Sequence, residues 1–315
     1  MRRKQGFVLA LSGGIGGAKL ALGLYRTLPP GALTVVANTG DDFEHLGLAI
    51  SPDIDTLLYT LAGVDNPELG WGRRGETWTF MAAVEALGGE TWFKLGDGDL
   101  ATHVERTRRL AAEENLSQIT DDFRRRLGIS ARLLPMTDNR VRTRLHADEG
   151  WLDFQDYFVR RGSAPMIREI SYVGASEAAA NPDFLAALGD ESLDMVVICP
   201  SNPFLSIDPI LNLPGVRETL RKSRAPVVAV SPIIGGKAVK GPTAKLMAEL
   251  GLPISASAVA RHYADILDVY VADEADADEV ADLGIPVTLA HTLMLSLDDR
   301  NALARTVLAA AGRGF

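Results

Sequence analysis

LALSGGIGGAKLALGL (residues 9–24) sets four glycines within five positions inside an apolar run. An apolar segment ahead of the glycines reads as a strand, and the apolar, alanine-rich stretch after them as a helix. A strand, a glycine loop and a helix in that order form a natural phosphate cradle. Glycine tolerates positive φ and lets backbone N–H groups approach an anion, and the helix N-terminus favours negative charge. The spacing fits neither common fingerprint. A P-loop needs Gly-Lys followed by Ser or Thr, and here Lys19 lies between Ala18 and Leu20. A dinucleotide loop needs G-x-G-x-x-G, and Lys19 takes the place of the last glycine. A tight strand-to-helix turn without a ligand is the plain alternative.

The same style recurs along the chain. LTVVANTGDD (33–42), LDMVVICPSNP (193–203), APVVAVSPIIGG (225–236), DVYVADEAD and IPVTLAHT are apolar runs that end in small, polar or acidic residues. Runs apolar on both faces mark parallel strands covered by helices. Helical stretches alternate with them: GAKLALGLYRTL, DIDTLLYTLAGV, DPILNLPGVRETLRKS and GPTAKLMAELG. The pattern predicts an α/β fold, a Rossmann-like, doubly wound, mostly parallel sheet. Ligands bind such sheets at the carboxyl ends of the strands. The loops at 12–17, 38–42, 201–203 and 231–236 are therefore expected to converge. From about 100 to 180 the chain is charged and helix-prone, and predicts a mainly helical insertion, with Thr120 and Asp121 as a helix start. We read residues 1–315 as one domain whose core is completed by about 190–315.

Composition narrows the function classes. The 315 residues are 47% hydrophobic with a net charge of -9. An acidic chain argues against a nucleic-acid partner. Cys199 is the sole cysteine, so no internal disulfide forms, as suits a reducing compartment. No run approaches the roughly 18–20 apolar residues of a membrane span. The opening MRRKQGFVLALSGG has an apolar core of about six residues that runs into glycines, too short for a signal peptide. A cytoplasmic protein without a membrane partner is expected.

Further candidates cluster at the strand ends. NTGDD offers Asn38 and Thr39 as ribose or base ligands, and Asp41 and Asp42 as acids; SPDIDT adds Asp53 and Asp55 a dozen residues later. Carboxylates beside a phosphate loop suit Mg²⁺, which neutralises a phosphate under attack. Asp55 could instead act as a general base or hold a substrate hydroxyl. Helix capping by Ser51, Pro52 and Asp53 is compatible with either. ETWFKLGDGDLATH contributes Lys94, Asp97, Asp99 and His103, with Trp92 and Phe93 placed to flank a flat ring; a turn packed on aromatics is the alternative. PSNPFLSIDPIL puts Ser201 and Asn202 at a strand end, suited to a phosphate or base. KAVKGPTAK brings three lysines near a loop, either for local positive charge or as a solvated cluster. The five histidines are scattered and no HExxH or paired CxxC occurs, which disfavours a zinc enzyme.

These motifs in this order resemble the 2-phospho-L-lactate transferase family, which helps build the deazaflavin coenzyme F-420. SGGIGGAKL, NTGDD, GLAISPDIDTLLYTLAG, GWG, WFKLGDGDLATH, PMTDNRVRT, PSNPFLSIDPIL, AVSPIIGGKAVKGPTAK and VADEAD carry the likeness over almost the whole length. The resemblance implies a Mg²⁺-assisted phosphotransfer. The ribitol hydroxyl of 7,8-didemethyl-8-hydroxy-5-deazariboflavin (Fo) attacks the phosphorus that carries an acid in a guanosine diphosphate ester, and GMP leaves. The acid is lactate, enolpyruvate or glycerate. It also implies a homodimer. Carried over by position, Asp55 and Lys94 match acceptor contacts, and Asp41, Asp53 and Asp55 form the catalytic set. Asp41 and Asp53 are the Mg²⁺ candidates. The nucleotide and phosphates fall to Ser12, Gly13, Gly14, Gly16, Gly17, Lys19, Asn38, Asp97, Ser201 and Asn202. Family loops commonly read SGGTGGPKL and LGDRD, so Ile15, Ala18 and Gly98 depart from the pattern, and a missing arginine at 98 loosens donor selection. A related family of nucleotide-sugar-binding regulators shares the glycine loop and the NTGDD-like region but lacks the WFKLGD and PSNPFLSI forms. A dinucleotide oxidoreductase is disfavoured by the missing third glycine.

Overall fold

The computed structural model describes residues 6–68, 70–239 and 241–312. Lys240 of the expected lysine cluster and the first five residues lie outside them. Seven strands of the main sheet are numbered here in chain order: β1 (Phe7–Ser12), β2 (Leu33–Ala37), β3 (Arg132–Pro135), β4 (Leu193–Ile198), β5 (Val227–Val230), β6 (Val269–Asp273) and β7 (Val287–Ala290). Their spatial order is β7-β6-β5-β4-β1-β2-β3, and each neighbouring pair is parallel. That is the order of doubly wound nucleotide-binding sheets with one strand added. The order reverses between β1 and β4, which opens a crevice above their carboxyl ends.

The apolar strands read from sequence are covered on both faces. Alternate side chains of β1 feed two cores. Val8 and Ala10 join Val35, Val197 and Val228 on one side, and Leu9 and Leu11 join Val36, Val196 and Ala229 on the other. Five helices matter below: α1 (Gly14–Thr27), α2 (Pro52–Ala62), α3 (Asp97–Ala111), α4 (Leu116–Arg126) and α5 (Leu297–Ala310). α1, α2 and α5 supply Leu20, Leu24, Ile54, Leu57, Leu303 and Val307 to the first core.

The insertion is mainly helical through Arg126, with one later π-helical turn at Asp156–Arg160. Beyond it, β3 returns to the edge of the main sheet, and residues 142–147, 150–153 and 167–173 form a separate antiparallel sheet. The sequence carried that signal: Arg142, Arg144 and His146 alternate with Thr143, Leu145 and Ala147, the period of a one-sided strand, and the structure buries the second set. α4 also begins earlier than expected. Asn115, not Thr120, caps it in a reciprocal box with Gln118. No helix among the described residues is long and apolar enough to cross a membrane.

Candidate active site

A cavity of about 640 Å³ sits in the crevice above β1 and β4. The four strand-end loops expected to converge all contribute to its wall, with Gly14, Asp41, Asn202 and Ser231 among the lining residues. Its size suits a nucleotide ester together with part of a second ligand.

Its floor is the glycine loop. Gly14 has φ +65°, which a side chain would strain. At Gly16 a Cβ would come within 2.5 Å of the Pro200 carbonyl oxygen, so this glycine lets α1 approach the loop after β4. Two amides at the start of α1 are already used: Gly13 donates to Ser201 Oγ at 3.2 Å and Gly14 to Asp53 Oδ1 at 2.5 Å. The next two, of Ile15 and Gly16, have no intrahelical acceptor. Asn202 Oδ1 caps its own turn by accepting from Phe204 and Leu205, while its Nδ2 is sealed from solvent without a partner. A ligand acceptor would satisfy it.

Two acids face this floor. Asp41 and Asp53 both line the cavity and are joined by the fully buried Asn38. Its Nδ2 donates to Asp41 Oδ1 at 3.1 Å and to Asp53 Oδ2 at 3.0 Å, while its Oδ1 accepts from Gly40 N–H. Burial, followed by the charges of Asp53 and Asp42, raises the Asp41 carboxyl well above its ordinary range. Burial pushes Asp53 up to about 6, against the lowering effect of the Gly14 and Asn38 hydrogen bonds. Asp42, behind them, is pushed up to about 7 by burial; Ser51 donates to it at 2.7 Å.

The opposite wall is aromatic. Trp92 and Phe93 stand there as expected, beside Lys94. They pack into a cluster with Phe43 and His45. Trp71, Phe154 and Phe158 extend this wall, with Phe154 and Phe158 stacked at 5.4 Å and 14°. A single π-helical turn over Asp156–Arg160 presents Phe158. Sequence reading gives the aromatic stretch GWLDFQDYFVRRG (150–162) no place in the site. Nor did it find Thr56 or the segment from Thr292 to Met294, whose side chains carry no motif.

Several expected ligand contacts turn out to be supports. Asp55 does not line the cavity. Both its oxygens are taken by the guanidinium of Arg106, with Nη1 at 3.0 Å from Oδ2 and Nη2 on Oδ1. His103 adds a contact to Asp55 at 3.6 Å and one to Asp99 at 3.1 Å, and Tyr59 donates to Asp99 at 2.6 Å. Arg106 had no signal in the sequence beyond being one of many arginines in a charged helix. Asp97, expected at the nucleotide, accepts instead from Thr77 Oγ1, Thr79 N and Phe80 N, and so pins the 77–80 turn. Asn38 is a brace between acids, because its amide is spent on protein acceptors. Ser12 and Gly17 lie beneath the loop, where a Cβ on Gly17 would collide with both serine hydroxyls, Ser201 and Ser12. Gly98 sits off the cavity, its N–H donating to Glu76 at 2.6 Å. Lys245 donates to the Pro165 carbonyl and pairs with Glu249, away from the floor. Cys199 is a buried core residue whose thiol burial pushes up to about 12. Gly13, Gly14, Gly16, Lys19, Asp41, Asp53, Lys94, Ser201 and Asn202 are the sequence candidates that do reach the cavity.

Comparison with known proteins bears on this arrangement. A family model described as 2-phospho-L-lactate transferase CofD matches residues 8–293. A phosphoenolpyruvate transferase of Streptomyces griseus is 41% identical over 310 residues, covering 96% of this chain and 97% of the relative. A 2-phospho-L-lactate transferase of Methanosarcina mazei is 41% identical over 306 residues, covering 96% and 100%. Among solved structures, a UPF0052-family protein of Bacillus halodurans superimposes with a TM-score of 0.65 at 14% identity, covering 97% of this chain and 99% of that one. That last likeness bears on the fold alone.

Proposed function

The chain belongs to the 2-phospho-L-lactate transferase family, and on that premise we propose that it moves a phospho-acid from a guanosine diphosphate ester to the ribitol hydroxyl of Fo. The acceptor oxygen forms a bond to the phosphorus carrying the acid. The bond from that phosphorus to the bridging oxygen breaks, and GMP departs with it. The hydroxyl proton passes to a carboxylate at the floor. Relatives named for phosphoenolpyruvate and for 2-phospho-L-lactate match equally well at 41%, so identity does not choose between those acids.

The observation that carries the reading is the Asp41–Asp53 pair set beside the first turn of α1 and opposite an aromatic wall. Free amides at a helix N-terminus suit the diphosphate, and the aromatic wall suits a flat deazaflavin ring. Burial raises both carboxyls, Asp53 to about 6 and Asp41 well above its ordinary range, which makes each a better proton acceptor than an ordinary carboxylate.

The same pair fits Mg²⁺. Two buried carboxylates, the charge of Asp53 raising the pKa of Asp41, are a site where a divalent cation relieves repulsion. No cluster of three or more metal-binding side chains occurs among the described residues. Two carboxylates completed by substrate phosphate oxygens are a usual Mg²⁺ arrangement. Bound there, the ion would neutralise charge on the phosphates. Asp55, held by Arg106, has no place in this mechanism; it supports α2. The test is release of GMP from lactyl-, enolpyruvyl- and glyceryl-diphospho-guanosine with Fo and Mg²⁺. Absence of GMP with all three donors rejects the reading.

A further inference from the structure

A second cavity, of about 120 Å³, adjoins the main one and shares Lys19, Thr56 and Trp71 with it. Its remaining wall mixes the polar Thr60, Asp65 and Arg300 with the apolar Pro67 and Leu295. It is too small for a nucleoside or a tricyclic ring, and of a size for a three-carbon acid. It borders α1 at Lys19, whose Nζ is tied to the Met294 carbonyl at 2.7 Å, so it opens beside the phosphate floor.

Arg300 is the unusual member. It sits in the first turn of α5, where that helix packs against Gly23 of α1. Its Nε is sealed from solvent and lacks a hydrogen-bond partner. Asp65 lines the same cavity without forming an ion pair to it, and no hydrogen bond to the Arg300 side chain occurs among the described residues. A guanidinium offers five donors in a rigid fork that matches a carboxylate. Buried donors of this kind are ordinarily satisfied.

We propose that this side cavity is the subsite for the donor's acid, with Arg300 binding its carboxylate. The inference rests on the donor reading above and adds where the acid lies and what recognises it. The carboxylate is common to lactate, enolpyruvate and glycerate esters, so Arg300 selects for an acid-bearing diphosphate over a bare nucleotide.

Calorimetric titration without acceptor tests this directly. Lactyl-diphospho-guanosine and GDP are each titrated into the full chain and into Arg300→Gln. The parent should bind the ester about tenfold more tightly than GDP, a difference typical of one charge-assisted contact. Arg300→Gln should lose that difference with GDP affinity unchanged, and Arg300→Lys should keep part of it. A parent that binds the ester no better than GDP overturns the subsite. So does a glutamine variant that keeps the preference, or one that loses both ligands in parallel. GMP release by the parent reads the transfer reaction separately, so its failure is distinguishable from failure of the subsite.

Discussion

Asp53 and Asp55 lie two residues apart in α2 and are equally buried, at 5% exposure each. Asp53 meets the N–H of Gly14, the amide of Asn38 and the like charge of Asp41, with no cation in direct contact among the described residues. Asp55 meets a buried guanidinium that takes both of its oxygens. Burial is therefore the same and the partners are opposite. One acid is kept at high energy on the cavity floor; the other anchors the helix that presents it. Buried acids at strand ends cannot be sorted into chemistry and scaffold without knowing what faces them.

The largest expected effect lies on the anchoring side. Arg106→Met leaves Asp55 buried without its guanidinium partner, and breaking such a pair costs about 3–5 kcal/mol. Urea unfolding should register it, and Asp55→Asn in the same chain should restore part of the loss. An unchanged midpoint in Arg106→Met would show that the pair does not anchor α2.

On the floor side the effect falls on rate. Asp53→Asn should lower GMP release by about 10²–10³-fold, the range for removing one preorganised electrostatic contact. Stability should hold or rise, because the substitution removes one of two repelling charges. A variant that turns over like the parent removes Asp53 from the chemistry.

The comparison also has a pH signature. Asp53 titrates near 6 in the folded chain against an ordinary 3.8. Between those values the folded state holds a proton that the unfolded state has released. This acid's contribution to stability therefore falls as pH rises from about 4 to 6. In metal-free buffer, Asp53→Asn should gain on the parent across that window in thermal midpoint. Parallel curves for the two chains would contradict the raised pKa.

The smallest effect belongs to Asp97. Its exposed carboxylate only pins the 77–80 turn, so Asp97→Ala should lower the thermal midpoint slightly and leave GDP affinity as it was. A marked loss of GDP affinity would return Asp97 to the nucleotide site.

The sheet was legible because its strands are apolar on both faces, a pattern few other structures produce. The glycine loop was legible for a related reason: a strand feeding a helix through Gly13 to Gly17 leaves few conformations open. The return to β-structure after Arg126 was carried by the alternation at 142–147 but lay within a strongly charged stretch that favoured a helical reading. The aromatic wall from Phe154 and Phe158 was not legible as a wall, since aromatic spacing alone does not say whether a ring packs into a core or lines a cavity.

The sequence by itself determined the doubly wound sheet, the glycine loop between its first strand and first helix, and the family. These follow from local periodicity and from motifs whose residues are near neighbours in the chain. Only the tertiary structure decided which acids face the cavity. Positions two apart on a helix point roughly 200° from one another, so Asp53 and Asp55 must look in different directions. Which direction is the cavity depends on Arg106, 51 residues away, and on the loop after β2 that brings Asp41 and Asn38 to meet Asp53.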